Sequence, residues 1–228
     1  QYVDKIHWDV DPSNAAKAQT TKERNEKALA DAEAKLSAKA DDLSARFTRG
    51  KAYFYLGQAQ QAIEDMNFLI EKVPQGSSAY QYRAIVHARM GKAKEAKQDL
   101  AKFTELSKSA NTKVYLDAVV SAHLGEDTEG MRRLESFIET NKDNSGSLYD
   151  AACAYSLASG AYQDKDAARS KVYAARAVSL IKQAITQGYS NYSHMQEDSD
   201  LDPLRLDDDF VGIMQVGNLA LRYAVVWN

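Results

Sequence analysis

Residues 43–76 read LSARFTRGKAYFYLGQAQQAIEDMNFLIEKVPQG, and this pattern returns every 34 residues as far as Asn144. Glycine recurs at this step from Gly57 to Gly91 and Gly125, and a further step reaches Ser159. Other small and apolar positions keep the same phase: Gly50, Ala84, Ala118 and Ala152; Ala62, Ala96 and Gly130; Met66, Leu100 and Leu134; Leu69, Phe103 and Phe137. A fixed period of this length indicates a repeat array rather than a run of unrelated amphipathic helices.

Each repeat predicts a pair of helices. In the first unit, Arg46, Gly50 and Tyr53 fall at helical spacing and lead into a glycine. A second helix follows and ends before Pro74, because proline cannot continue a helix. The small residues at Gly50 and its equivalents allow the two helices to approach closely, while the large ones fill the space between units.

The period and the column chemistry resemble the tetratricopeptide repeat family. The shared motif reads Gly50-x-x-Tyr53…Gly57…Ala62-x-x-x-Met66-x-x-Leu69…Pro74. The resemblance covers residues 43–144. It departs at Gly130, where alanine is usual, and at Lys108 and Lys142, which stand where proline is expected. It implies an all-α fold, a right-handed α–α superhelix with helical caps.

The repeat phase also divides the chain. Ala177 and Ile181 lie 47 residues after Gly130 and Leu134, which is 13 more than the period (47 minus 34). Terminal units of such arrays are atypical because one face must meet water. The predicted organisation is an N-terminal segment and capping helix (a degenerate repeat) at 1–42, three regular units at 43–76, 77–110 and 111–144, a fourth unit at 145–188 with an inserted loop at about 159–170, and a C-terminal helical cap and apolar tail at 189–228.

Composition excludes several function classes. A net charge of −3 gives the protein no overall positive potential that would attract nucleic acid. No apolar run approaches the ~20 residues of a membrane-spanning helix. A single cysteine excludes an internal disulfide. Because the chain begins at Gln1 rather than Met, its compartment, the cytoplasmic or the periplasmic side of a bacterial cell, stays undecided.

The C-terminal part carries a second resemblance. The opening Leu148-Tyr-Asp-Ala-Ala-Cys-Ala-Tyr, the segment Ala175-Arg-Ala-Val and the run Asp200-Leu-Asp-Pro-Leu-Arg are similar to the end of tetratricopeptide arrays in planctomycete-type bacterial proteins. Many of these arrays follow a serine/threonine kinase domain, so the resemblance implies that such a domain could lie upstream. This chain has no glycine-rich phosphate loop, no His-Arg-Asp and no Asp-Phe-Gly motif.

No pattern predicts an active site, a metal or a cofactor. The run Asp198-Ser-Asp-Leu-Asp is similar to a calcium loop, but Pro203 stands where the loop needs a glycine with positive φ. Cys153 lies among small and aromatic residues on a helix face, which favours a buried thiol over a nucleophile. The four histidines form no metal-ligand pair. The sequence therefore predicts a protein that is not an enzyme.

The concave groove is the predicted binding surface, because in this fold the first helix of each unit lines it. Tyrosine and arginine dominate binding hot spots. The predicted ligand residues are Phe47, Lys51, Tyr55, Tyr82, Arg89, Tyr115 and Tyr149. The lysine, asparagine and arginine clamp that grips acidic chaperone tails is absent, so an apolar or aromatic peptide is expected. Alternatively, part of this row packs within the superhelix or meets water.

These observations predict a non-catalytic scaffold that binds a peptide segment or partner protein along an aromatic groove. One alternative is a sensor or substrate-docking arm of a larger bacterial signalling enzyme, a serine/threonine kinase. Another is a self-assembling structural module that associates through the apolar tail at residues 219–228. An additional alternative for this tail is that it simply packs on the preceding helix.

Overall fold

The computed structural model describes residues 21–226, with side chains for residues 22–217. Within this range the chain forms α-helices and one 3₁₀ helix, and no strand. The helices are α1 (Thr21–Ala38), α2 (Leu43–Tyr55), α3 (Ala59–Lys72), α4 (Ser77–Arg89), α5 (Ala93–Leu106), α6 (Ala110–Leu124), α7 (Asp127–Thr140), α8 (Ser145–Tyr162), α9 (Ala167–Thr186), α10 (Tyr192–Glu197), the 3₁₀ helix Ser199–Leu204, and α11 (Asp208–Val226).

The helices pack as consecutive pairs. Helices α2 with α3, α4 with α5, α6 with α7 and α8 with α9 form hairpins. The first helices of successive pairs also contact one another, from α2 to α4, α6 and α8, so they form one layer of the array. The prediction of an all-α array of paired helices is confirmed. Helix α1 precedes the array and packs against α2, with Ala32 and Leu36 buried.

The glycine column marks the ends of the first helices. Gly57, Gly91 and Gly125 have φ of 74°, 70° and 75°, in the left-handed region that favours glycine. At the first of these turns the N–H of Gln58 donates to the carbonyl of Tyr53 at 2.8 Å. This bond closes a Schellman motif, which satisfies helix carbonyls that would otherwise have no partner. The 34-residue period is therefore the distance in sequence between the ends of successive first helices.

In the fourth unit this column holds Ser159, and the helix does not end there. Helix α8 continues to Tyr162 and α9 has 20 residues, so only residues 163–166 connect them. The predicted loop at 159–170 is therefore wrong, because most of the extra residues lengthen the two helices. A serine does not readily adopt positive φ, so the helical conformation continues through position 159. Helix α9 ends at Thr186, and Gly188, two residues later, has a φ of 95°.

Close helix packing explains the departure from alanine at Gly130. A Cβ atom at this position would lie 2.9 Å from Cβ of Ser121 and 3.3 Å from Cα of Ala118. The second of these neighbours is backbone and cannot rotate away. Alanine fits at the equivalent positions Ala62 and Ala96, which are both fully buried. Glycine in place of alanine at position 130 therefore makes room for Ser121 and preserves the packing of the repeat.

An interhelical ion pair recurs in the first three units with the repeat period, and we call it the ion-pair ladder. Each pair joins the two helices of a hairpin across 16 residues, at 2.7, 2.6 and 2.7 Å between nitrogen and oxygen. The first two acidic partners are buried. In the third unit the charges are exchanged between the helices. The pairs are Arg49–Asp65, Arg83–Asp99 and Asp117–Arg133.

After α9 the chain turns back onto the array. Residues 192–206, which we call the docked segment, comprise α10, Asp198, the 3₁₀ helix and the two residues after it. The 3₁₀ helix packs against α8 and α9. Met195, Leu201 and Leu204 are fully buried. Helix α11 follows, but the predictions for residues 1–20 and for the apolar tail from 219 concern chain ends whose side chains lie outside the described residues.

Candidate functional site

Tyrosine hydroxyls of three array helices hold the docked segment. Tyr115 Oη, on α6, donates to Asp200 Oδ2 at 2.7 Å. Tyr149 Oη, on α8, donates to Asp198 Oδ2 at 2.7 Å. Tyr55 Oη, on α2, makes a longer bond of 3.4 Å to Asp200 Oδ1. Residues of the predicted groove therefore bind two carboxylates of the same chain.

The expectation that this groove suits an apolar rather than an acidic segment is wrong for the part that the docked segment fills. Tyr115 and Tyr149 are buried, and their rings form apolar walls, but each hydroxyl is an O–H donor. Hydrogen bonds to a carboxylate are stronger than bonds between neutral groups. The groove thus accepts acidic side chains without the lysines and arginines of a carboxylate clamp.

The docked segment is also anchored by its own contacts. Asp198 Oδ1 accepts from the backbone N–H of Asp200 at 3.0 Å, which caps the 3₁₀ helix. Arg205 donates from Nη2 to the carbonyl of Asp198 at 2.8 Å and from Nη1 to that of Met195 at 3.3 Å. Each of its three fully buried apolar side chains contributes about 1.5–3 kcal/mol. Removing the docked segment would remove these hydrogen bonds and expose these apolar side chains, so we treat the segment as part of the site.

Between the docked segment and the array a cavity of about 440 Å³ stays open, and we call it the tyrosine cavity. Helices α2, α4, α6 and α8 form one side of it, and α10 and the 3₁₀ helix form the other. Its lining includes five tyrosines, three aspartates and one lysine: Tyr55, Tyr82, Tyr115, Tyr149, Tyr189, Asp150, Asp198, Asp200 and Lys51. A volume of this size lies within the range of ligand-binding pockets, roughly 300–1,000 Å³.

The structure brings together most of the predicted ligand residues. Five of them line the tyrosine cavity, namely Lys51, Tyr55, Tyr82, Tyr115 and Tyr149. Phe47 lines a second cavity of about 480 Å³, on the α1 side of the docked segment. Arg89 lines neither cavity. Its guanidinium lies 4.2 Å from the centroid of the Phe54 ring, and its Nε donates to Nε2 of His123 at 3.5 Å.

Lys51 stands at the boundary between the two cavities. Its Nζ lies 5.5 Å from the ring centroid of Tyr82 and 5.9 Å from that of Phe47. These two rings meet edge to face, with centroids 5.7 Å apart. The ammonium group is therefore held by cation–π attraction on the α2 and α4 side of the cavity.

The opposite wall contains residues that the sequence analysis did not select. Tyr189 stacks on Tyr149, with centroids 4.3 Å apart and an interplanar angle of 9°. The His194 ring lies 5.7 Å from the same tyrosine. The sequence analysis considered Asp198 and Asp200 only as ligands of a calcium loop, and their tyrosine partners lie 49 and 85 residues away in sequence. No local pattern reports contacts over such separations.

Two carboxyl groups of the cavity, those of Asp150 and Asp200, have raised pKa values. Burial, followed by the negative charge of Asp198, raises the pKa of Asp200 to about 6, although hydrogen bonds from Tyr115 and Tyr55 oppose the shift. Burial also raises the pKa of Asp150, and Asp198 adds to that effect. Desolvation and mutual repulsion both favour the protonated form of a carboxyl group. Asp150, Asp198 and Asp200 thus concentrate negative charge in a partly desolvated space.

Cys153 lines the same cavity but is a poor candidate for a nucleophile. Its side chain is buried, as predicted, and its Sγ donates to Asp198 Oδ2 at 3.6 Å. Burial and the neighbouring carboxylates raise its pKa well above the usual range for a thiol. Because the thiolate is the reactive form, the thiol here is inert. Among the residues with described side chains, no group of three or more His, Cys, Asp or Glu is placed to hold a metal ion.

The raised pKa of Asp200 predicts a pH-dependent stability. A carboxyl that binds its proton more tightly in the folded state stabilises that state fully below its unfolded pKa, about 3.9, and loses the contribution as pH rises through about 6. The contribution is about 2–3 kcal/mol. Urea unfolding of wild type and Asp200→Asn should therefore show the wild type losing that much stability, relative to the variant, between pH 4 and pH 7. Parallel curves over this range would contradict the assignment.

A solved structure shares the fold. A tetratricopeptide repeat protein from Parabacteroides merdae ATCC 43184 is 17% identical, with a TM-score of 0.50 over 83% of each chain. MamA is 19% identical, with a TM-score of 0.45 over 73% of this chain and 90% of its own. No protein-family model and no curated protein sequence matches the chain. The chain thus has the fold of a tetratricopeptide repeat protein.

The finer sequence predictions reach beyond these neighbours. Attachment to a serine/threonine kinase in a planctomycete-type protein stays a prediction from the sequence. Self-association through the tail likewise stays a prediction. In the part of the chain that the structure describes, no helix is both long and apolar enough to cross a membrane.

Proposed function

We propose that this protein is a non-catalytic interaction scaffold that binds a peptide segment of a partner protein in the tyrosine cavity. The observation that supports this proposal most directly is the cavity itself. Five predicted groove residues converge on it from four array helices, α2, α4, α6 and α8, and it stays open although the chain's own docked segment fills the adjoining space.

The lining favours a peptide over a reacting substrate. Aromatic side chains supply large contact areas at a small cost in conformational entropy, and tyrosine adds a hydroxyl for hydrogen bonding. Tyr82 is half-buried and in ring contact with Phe47 and Phe54, which fixes its orientation. The anchored docked segment forms a second rigid wall. A preorganised surface of this kind loses little entropy when it binds.

Selection from a random twelve-residue peptide display library would test the proposal. We expect enriched peptides that bind the wild type and lose about tenfold or more in affinity on Tyr82→Ala, in line with an aromatic hot spot. Tyr53→Ala is the matched control, because Tyr53 is also half-buried but lies outside both cavities and bonds to Glu33.

Affinities can be measured by fluorescence anisotropy with labelled synthetic copies of the enriched peptides. Circular dichroism would first establish that both tyrosine variants keep the helical content of the wild type. The proposal fails if no peptide is enriched. It also fails if the enriched peptides bind Tyr82→Ala as tightly as they bind Tyr53→Ala.

A further inference from the structure

The buried aspartates outside the tyrosine cavity and the half-buried aspartates that line it differ in their partners. Those outside the tyrosine cavity are matched by arginine: Asp65 by Arg49 at 2.7 Å, Asp99 by Arg83 at 2.6 Å, and Asp127 by Arg169 at 3.2 Å. Those that line the cavity are not. Asp150 and Asp200 form no ion pair within the part of the chain whose side chains are described; they accept hydrogen bonds from neutral groups instead.

Two further charges near the cavity do not balance these aspartates. Asp198 is 3.6 Å from Nε2 of His194, which carries a charge only when it is protonated. Lys51 lines the cavity, but its ammonium lies over the rings of Tyr82 and Phe47 and contacts no carboxylate among the described residues. Arg89, outside the cavity lining, attracts Asp200 but forms no ion pair with it in the described part of the chain. The three cavity carboxylates therefore form no ion pair with a lysine or an arginine there. The array meets its buried aspartates with arginine, and this contrast indicates that the cavity has room for a cation that a ligand supplies.

The walls are suited to an organic cation. Five tyrosine rings line the space, and the stacked pair Tyr149 and Tyr189 presents a flat aromatic face. Ammonium and guanidinium groups bind such faces through the ring quadrupole. The described carboxylates, in contrast, form no group that could hold a metal ion. Guanidinium also forms two parallel bonds with a carboxylate, which a planar aromatic slot accommodates well.

On these grounds we infer that the partner of the tyrosine cavity is a basic peptide segment, one of whose arginine or lysine side chains enters between the tyrosines and pairs with Asp150 and the docked-segment carboxylates. The inference rests on the proposed function and specifies its ligand. It makes the docked segment half of the binding site, since Asp198 and Asp200 belong to it. A binding site with this composition is the reverse of a carboxylate clamp.

Binding should then depend on pH. Asp200 faces Tyr55 on α2, Arg89 on α4, Tyr115 on α6, Cys153 on α8 and, within its own segment, Asp198. Protonation of its carboxyl below about pH 6 removes one of the negative charges that attract the ligand. Affinity for a basic peptide therefore falls between pH 7.5 and pH 5, while the ammonium and guanidinium groups of the peptide stay charged throughout.

The residue content of the enriched display peptides tests the inference. We expect arginine or lysine at a common position, and about tenfold weaker binding when that arginine is replaced by citrulline, which has nearly the same shape and no charge. Asp150→Asn should weaken binding by about as much, since it removes a charge and keeps an oxygen for the bond from Asn111. Lys51→Met should increase the affinity, because it removes a charge in the cavity lining that repels the cation of the ligand.

The outcomes separate this inference from the proposed function. Peptides that need Tyr82 but are acidic or uncharged, or that bind more weakly to Lys51→Met, would overturn the basic ligand and leave the scaffold intact. Failure to obtain any Tyr82-dependent peptide would overturn both. Equal binding of the arginine and citrulline peptides would also count against the inference, whatever the residue content of the selected pool.

Discussion

Alanine in place of Leu201 is expected to lower the free energy of unfolding by about 2–5 kcal/mol. Leu201 lies in the 3₁₀ helix of the docked segment and is fully buried, together with Leu204 and Met195. Truncation removes buried apolar contacts and leaves a cavity that the surrounding helices fill only partly. Urea unfolding, followed by the circular dichroism of the helices, measures the loss.

Leu206 provides the matched control, because it belongs to the same segment and is 94% exposed. Leu206→Ala should change stability by no more than about 0.5 kcal/mol, as expected for an exposed side chain without defined contacts. If the two leucine variants had equal stability, the docked segment would not be a packed part of the fold. The tyrosine cavity would then lack its second wall, and the proposed binding site would be wrong.

Reversing one charge of the ion-pair ladder is expected to have the other large effect. Asp99→Arg places a second cation beside Arg83 in a buried position and should cost about 3–5 kcal/mol. The double exchange Arg83→Asp with Asp99→Arg should recover most of this loss. The third unit already has this arrangement, with Asp117 on the first helix and Arg133 on the second.

A double-mutant cycle on the 83–99 pair measures the coupling directly. Burial lowers the pKa of His87, whose Nδ1 lies 3.3 Å from Asp99, so the ring is neutral near pH 7 and does not oppose the exchange. We expect the double variant to be clearly more stable than Asp99→Arg alone. If the two single losses simply added, the exchanged pair in the third unit would be an independent feature and not a rung of the same ladder.

The 34-residue period of the sequence predicted the array because each unit forms the same pair of helices. The first helix of each pair must end before the second begins, and glycine adopts the left-handed conformation of that end most readily. The repeated glycines from Gly57 to Gly125 therefore mark the helix ends. The fourth unit shows the limit of this reasoning. A spacing of 47 residues reveals how many residues were added, but whether they lengthen helices or form a loop depends on local conformation at Ser159.

The candidate site was predicted in part for a similar reason. Phe47, Lys51, Tyr55 and Tyr82 follow from helix geometry, because the groove face of each first helix is fixed by the repeat phase. The contact between Tyr115 and Asp200 does not follow, since it joins distant parts of the chain. The ion-pair ladder could have been found, because its charged positions step by 34 residues like the glycines do.

The lengthened helix α8 also bears on how such a chain can evolve. A duplicated 34-residue unit placed between the first and third pairs would meet neighbours of standard length on both sides. Placed after α8, it would contact a helix that is longer than the first helices of the regular units. Pro203 already lies against Gly160 at that end, where an added Cβ would be 3.0 Å from the proline ring. An added 34-residue unit would therefore fit among the regular helix pairs, whereas after α8 it would meet a longer helix and the docked segment.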